Sequence, residues 1–315
     1  MLQRLRPRGL LTDASARIAG VRVGIVDVGA NTVRLLVAAR DDDQVVAVRE
    51  ERVQLGLGEE IERTGSISED KLEETALTAA TRVRRARKLH CAAVEVLVTS
   101  PGRQAANGRE LVGRLAEATN ARVRVLSAGE EAALAWRGAV ASARDIPSTV
   151  AVCDVGGGSA QIAVGSLKDG PAWVRSVDIG SLRLTQRAFH EDPPTKDDVE
   201  RARVAIGESF EDLAPPPPLG ALAVGGTARA LRRIAGKRLG QDEIEAAIEE
   251  LRRKPSRQVA KTFKLDRQRA RTIVAGALIL SEIQRRLNVP LEVGRGGLRE
   301  GAALMLLDAT VAATA

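Results

Sequence analysis

Residues 21–40, VRVGIVDVGANTVRLLVAAR, and residues 149–166, TVAVCDVGGGSAQIAVGS, are two versions of one unit. Each opens with an apolar, β-branched run and reaches an Asp with a Gly two residues on. Each then crosses a polar turn and returns as a second apolar run. Runs of this kind around a glycine-containing turn read as a strand, a turn and a returning strand. Val23-Gly24-Ile25-Val26-Asp27-Val28-Gly29 answers Val150-Ala151-Val152-Cys153-Asp154-Val155-Gly156 at a distance of 127 residues. That period is longer than the roughly 20–50 residues of solenoid units and suits a duplicated domain. The expectation is an α/β chain with an N-terminal domain over 21–146 and a C-terminal domain over 147–315, Pro147 lying in the linker. Residues 1–20, basic and without the apolar stretch of a signal peptide, read as an extension outside the fold.

Outward from the hairpins, residues 44–57 read as a further strand pair of the first sheet. Residues 68–89 read as a helix, with Ser68 at the N-cap, acids in the first turn and bases in the last. Strands are expected over 94–99 and 123–127, and helices over 108–119 and 130–142. In the second half the expected strands cover 174–178, 219–224 and 291–293. Helices are expected over 195–213, 241–254, 266–288 and 298–311, with a Gly225–Gly226–Thr227 turn and a stiff Pro215–Pro218 linker. The closing helix over 298–311 is placed to pack back on the first domain.

Composition narrows the chemistry. The 315 residues hold two His, two Cys, two Trp, three Phe and no Tyr. Four His and Cys in all, scattered along the chain, do not make a zinc site. Aromatics at 2% do not make a stacking platform for single-stranded nucleic acid. His90 and His190 read as surface or junction residues, Trp136 and Trp173 as core or interface anchors, and Cys91 and Cys153 as reduced thiols in a cytoplasmic protein. No apolar stretch approaches the ~18 residues of a membrane span. What remains plentiful is carboxylate, Arg, Gly and backbone amide. The net charge of +7 leans toward anionic partners. The basic runs Arg82, Arg84, Arg85, Arg87, Lys88 and Arg252–Arg271 suit either a polyanion or plain solvation.

The two turns carry the chemistry. Glycine permits a tight turn and close approach of a ligand, and successive amides in such a turn make an anion-binding nest. That marks Gly29 and, in the second copy, Gly156, Gly157 and Gly158 as phosphate contacts, with Asn31, Thr32 and Ser159 as side-chain donors. Asp27 and Asp154, at the strand ends, are placed to hold a divalent cation or its waters.

These loops resemble the phosphate hairpins of the ASKHA superfamily: actin, sugar kinases and Hsp70-type ATPases. The resemblance implies two ribonuclease-H-like domains with the substrate in the cleft between them. Val224-Gly225-Gly226-Thr227 resembles the later glycine motif of that superfamily, adding Gly225, Gly226 and Thr227 as phosphate contacts. Four further segments narrow the match: Thr99-Ser100-x-x-Arg103-x-Ala105-x-Asn107, Ser127-x-Gly129-Glu130-Glu131-Ala132, Asp178-x-Gly180-x-x-Arg183-Leu184-Thr185, and Gly297-Leu298-Arg299-Glu300-Gly301. In this order, across about 21–307, they resemble the exopolyphosphatase / guanosine pentaphosphate phosphohydrolase (Ppx/GppA) family in its short two-domain form.

The resemblance implies hydrolysis of a terminal phosphoanhydride with Mg2+ or Mn2+. Glu131 would be the catalytic carboxylate, with Glu130 as fallback, and Arg103 a bidentate phosphate clamp. It implies inorganic polyphosphate or pppGpp as substrate and a homodimer, with no membrane and no specific nucleic acid. Three positions depart from the family pattern: Ala30 replaces a Ser, Gln104 an Asp and Gln161 a Glu. Those losses keep a polyphosphate- or alarmone-binding sensor in view beside the enzyme. An ASKHA kinase or ATPase is less well served, for want of aromatics to sandwich adenine.

Overall fold

The computed structural model describes residues 20–41 and 44–313; the expected extension over 1–20 lies, but for Gly20, outside them. In the first half β1 (Arg22–Val28), β2 (Thr32–Asp41) and β3 (Gln44–Gln54) form an antiparallel meander. There follow α1 (Leu57–Thr64), α2 (Glu69–Lys88), β4 (Cys91–Val98), α3 (Ser100–Gln104), α4 (Gly108–Thr119), β5 (Arg122–Val125) and α5 (Ala128–Ala141). β4 and β5 join in parallel on the far side of β1, giving the order β3-β2-β1-β4-β5.

The second half repeats this. β6 (Thr149–Val155), β7 (Ala160–Ser166) and β8 (Gly170–Val177) form the meander. Then come α6 (Ser181–Ala188), α7 (Lys196–Ser209), β9 (Gly220–Val224), α8 (Gly225–Ala235), β10 (Arg238–Leu239), α9 (Gln241–Leu251), α10 (Ser256–Thr262), α11 (Arg267–Leu287), β11 (Leu291–Val293) and α12 (Leu298–Ala312). The order β10-β11-β9-β6-β7-β8 matches the first sheet with one edge strand added.

Three local expectations are corrected. Residues 44–57 form one strand, not two, because the Leu55 and Gly56 amides turn away to bond the Asn31 carbonyl at 2.9 and 3.2 Å. Gly225–Thr227 is no separate turn: α8 begins at Gly225 itself. The helix expected over 195–213 ends at Ser209, while its start is sealed by a Thr195–Asp198 capping box. Helices α1 and α6 lie where no helix was expected.

Strand alternation decides where the two aspartates point. Val26 and Val28 pack under Leu72, Val83, Leu111 and Leu115, whereas Val23 and Ile25 face Ala302, Ala303 and Leu307 of α12. Asp27 shares the latter face. In β6, Ala151 and Cys153 face the helical layer of the second half, while Val150 and Val152 face Ala132, Trp136 and Ala139 of α5. Asp154 shares that face. Both aspartates therefore look into the space between the sheets.

That space is spanned by two helices that each cover the other half's sheet. α5, from the first half of the sequence, packs on the second sheet, and α12, from the second half, packs on the first. They cross with their backbones in contact. A Cβ on Gly138 would lie 2.0 Å from the Gly297 carbonyl oxygen, and one on Gly301 would lie 2.0 Å from that of Leu134. Among the described residues no helix is long and apolar enough to cross a membrane.

Gly138→Val should therefore destabilise the protein by more than ~3 kcal/mol, above the usual range for overpacking, because the clash is with backbone. Gly113→Ala, in open space on α4, should gain about 0.5–1 kcal/mol. Urea midpoints check both; an unchanged midpoint for Gly138→Val would refute the crossing.

Candidate functional site

Each hairpin turn is closed by the same bond: Gly29 N–H donates to Thr32 O at 3.0 Å, and Gly156 N–H to Ser159 O at 2.9 Å. The loop carbonyls are then tied from behind. Ala30 O accepts from Gly58 N at the start of α1, and Gly157 O accepts from Leu182 and Arg183 N at the start of α6. With the carbonyls so fixed, the amides of Ala30, Asn31, Gly157 and Gly158 have no protein acceptor among the described residues. These are the free donors a nest requires. The N–H groups of Gly29 and Gly156, expected to contact phosphate, instead close the turns.

A cavity of about 120 Å3 lies between the loops, walled by Asp27, Asn31, Thr32, Asp154, Glu131, Gly225, Gly226 and the two turns. Gly225 has φ +81°, and a Cβ there would lie 2.0 Å from Asp154 Oδ1, so only glycine fits. Thr227 does not reach the cavity: its hydroxyl donates to Val155 O at 2.7 Å and accepts from Arg269 Nη1 at 3.0 Å.

The acid pair at the start of α5 is divided by its helix cap. Glu130 accepts from Ser127 N at 2.8 Å in a capping box and is held by Arg124 at 2.8 Å, its carboxyl lowered by the cap bonds. Glu131, one residue on, points into the cavity. Burial pushes its carboxyl up to about 7, against the pull of Arg103. Arg103 is anchored to Leu126 O at 2.6 Å and to Glu131 Oε2 at 2.9 Å. It stands beside Glu131 and is not among the residues that wall the cavity.

The cations that do line the cavity are Arg34, not singled out by sequence, and Arg269, noted there only as part of the basic run over 252–271. Arg34 lies directly across the β1–β2 ladder from Asp27, as Gln161 lies across from Asp154; aligning the repeats seven residues past each Asp would have found Arg34. Burial lowers Arg34 to about 10, and lowers Arg269 as well. Asp27 and Asp154 are raised by burial, an effect that arginines partly offset. Thr99 and Ser100 complete the wall.

The three departures have defined places. Ala30 is wedged against Gly58 and Gly157. Gln104 donates to Asp178 Oδ1 at 3.1 Å across the cleft, a bond that an ionised Asp at 104 would turn into repulsion. Gln161 donates to Ser159 Oγ at 2.7 Å and Ser176 Oγ at 3.2 Å. On α2 the basic face is largely committed: Arg82 and Arg85 pair with Glu51, and Arg87 donates to the Thr119 and Asn120 carbonyls.

Free amides, buried carboxylates and two arginines around one small chamber are equipment for a phosphoryl group and an attacking water. With the duplicated lobes, this defines the class: a phosphohydrolase of the two-domain ASKHA type. The model of the Ppx/GppA phosphatase family matches residues 36–310, and the chain belongs to that family. It is 28% identical to exopolyphosphatase 2 of Mycobacterium tuberculosis, over 92% of this chain and 99% of that one. It is 26% identical to exopolyphosphatase 1 of Mycobacterium leprae, over 94% and 92%. Among solved structures, the Ppx/GppA family member of Aquifex aeolicus aligns at TM-score 0.79 and 26% identity, covering 94% of this chain and 99% of that one.

Because the folded Glu131 carboxyl stands above its ordinary 4.5, ionising it opposes folding. The stability tied to this residue is complete below about pH 4.5 and is withdrawn as pH climbs through about 7. Glu131→Gln should match the wild type at pH 4 and exceed it at pH 8 by up to about 3 kcal/mol. Urea unfolding at the two pH values checks this; a variant less stable at pH 8 contradicts it.

Proposed function

We propose that the chain is an exopolyphosphatase-type phosphohydrolase that releases orthophosphate from the end of linear polyphosphate. The observation that carries the reading is Glu131: a buried carboxyl raised to about 7, facing a chamber lined by free amides. A general base works best with a pKa near the operating pH.

In this reading the terminal phosphoryl group lies against the amides of Ala30, Asn31, Gly157 and Gly158. Arg34 and Arg269 offset charge on its equatorial oxygens. Glu131 orients a water in line with the scissile P–O bond and takes its proton as the water oxygen bonds to phosphorus. The electron pair of the broken bond stays on the oxygen of the shortened chain. Arg103 holds Glu131 in place and limits the rise in its pKa.

Mg2+ or Mn2+ fits the donor set. Among the described residues no three His, Cys, Asp or Glu converge as a metal cage. Magnesium, however, is commonly held by one or two carboxylates with water and substrate phosphate completing its shell. Asp27 and Asp154 are such a pair, both raised by burial and so both relieved by a cation. The ion would supply charge neutralisation to the phosphates.

Removal of the 5′-γ-phosphate of pppGpp uses the same chemistry and is the second reading; the absence of any aromatic ring from the cavity wall favours the polymer. Family resemblance supports a homodimer acting in the cytoplasm. The sensor reading is weakened because none of the three departures removes Glu131, Asp27 or Asp154.

Phosphate release should be measured from medium-chain polyphosphate, pppGpp and ATP with Mg2+. Wild type should turn over polyphosphate, and Glu131→Gln should lose about 10²–10⁴-fold in kcat. Arg103→Met should move the acidic limb of the pH profile upward by about one pH unit or more, since the charge that lowers Glu131 is gone. Wild type inactive on all three while still binding polyphosphate would sink the enzyme reading; turnover of ATP alone would favour the kinase branch.

A further inference from the structure

Helices α1 and α6, which hold the two loop carbonyls, also meet each other across the halves. The Gly58 amide at the start of α1 donates to Ala30 O at 2.6 Å. The Leu182 and Arg183 amides at the start of α6 donate to Gly157 O at 2.9 and 3.1 Å. A trans peptide is planar, with its C=O and N–H opposed. Each carbonyl drawn back therefore aims the N–H of its own peptide unit forward: Asn31 N–H in the first loop and Gly158 N–H in the second. Packing at both ties is close. A Cβ on Gly58 would lie 2.9 Å from Ala30 Cβ and 3.0 Å from Leu182 Cδ2, and one on Gly180 would strike the Gly157 carbonyl group.

The two helices are clasped by charge. Glu62, on α1, takes Arg183 on one carboxylate oxygen and Arg187 on the other at 3.0 Å, both from α6. Gln186 Nε2 donates to Glu59 O at 3.4 Å, and Arg183 Nη1 donates to Asp178 O at 3.0 Å. The Glu62 and Arg183 side chains are only 12% and 10% exposed. Every other ion pair joining the halves among the described residues has an exposed partner. A buried ion pair adds little net stability over apolar side chains of the same size; what it can supply is register. Glu62, Arg183 and Arg187 are not among the residues that wall the chamber. Their route to it is through the two loop carbonyls.

We propose that Glu62, with Arg183 and Arg187, is a positioning unit: it sets the separation of the two amide nests, and with it the rate at which a phosphoryl group held by both is transferred. The proposal rests on the reading that the Glu131 chamber takes the phosphoryl group under attack. One small ligand has to meet amides from both halves at once. The α5–α12 crossing joins the halves through their sheets, whereas the clasp joins them at the loops. A misplacement of about 1 Å at a reacting centre costs on the order of 10²-fold in rate, so a tie of this kind acts on turnover without touching substrate.

The test compares wild type with Glu62→Gln and Glu62→Asp. Glu245→Gln is the control, since it breaks a pair with Arg203 at 2.6 Å that lies wholly within the second half. Thermal melts confirm that each is folded at the assay temperature. kcat and KM are measured for medium-chain polyphosphate with Mg2+ across pH. Glu62→Gln should lower kcat about tenfold or more while KM stays within about threefold. The acidic limb of its pH profile should stay in place, because Glu131 keeps its surroundings. Glu62→Asp, which keeps the charge on a shorter arm, should recover part of the loss. If Glu62→Gln does not fold, Glu62→Asp and Arg187→Gln carry the test, each losing about threefold or more in kcat. An unchanged kcat in folded Glu62 variants, a loss matched by Glu245→Gln, or a moved acidic limb overturns the proposal. Equilibrium binding of orthovanadate, a small anion that can take five-coordinate geometry, separates the two readings should wild type hydrolyse nothing. If its affinity then falls about tenfold with Glu62→Gln and holds with Glu245→Gln, the catalytic reading fails and the clasp stands. If its affinity is unmoved, both fail.

Discussion

The structure hangs on the crossing of α5 and α12, where Gly138 meets Gly297 and Gly301 backbone to backbone. Each helix covers the sheet of the opposite half, so neither lobe buries its inner face without the other. Each also begins at the cleft: α5 with Glu131, and α12 just after the 294–297 loop with Arg299 and Glu300. Side chains at the crossing would push the sheets apart, and with them the loops bearing Asp27 and Asp154. The fold and the site are thus fixed by the same contact.

Burial then does the chemical work. Three carboxyls are raised by being taken out of water, and Arg34 and Arg269 are lowered for the same reason. Neither set is satisfied by pairing alone. Arg34 faces Asp27 across a strand ladder, yet it also feels Arg229, Arg269 and Arg299. A pocket in which charges of both signs are held short of water is poised for a ligand that brings negative charge and for a cation that offsets it. Stability is given up there, as is usual where a site is kept reactive.

Much of this was legible in the sequence. The Asp-x-Gly hairpins, repeated at a distance of 127 residues, disclosed the duplication that the two strand orders repeat. Alternation from Val23 to Asp27 and from Val150 to Asp154 contained the direction of both carboxylates. What escaped were features set by tertiary context. Helices α1 and α6 are short, and their starts are fixed by the carbonyls of the loops before them. The family resemblance put Glu131 ahead of Glu130, but the physical reason, a capping box that holds Glu130 back, is set by the helix start. The tie of Arg103 to the Leu126 carbonyl, 23 residues away, had no local signal. Arg34, Arg229, Arg233, Arg269 and Arg295 gather around one hollow from β2, α8, the start of α11 and the loop before α12, which no local pattern brings together.

The central claim is that the fold holds Glu131 as a base near neutrality. The most direct measurement is a 13C NMR titration of the glutamate side-chain carboxyls, wild type against Glu131→Gln. One carboxyl resonance, missing from the variant, should titrate near 7. If the resonance lost in the variant titrates instead below about 5, burial is not what sets this site's chemistry and the account is wrong.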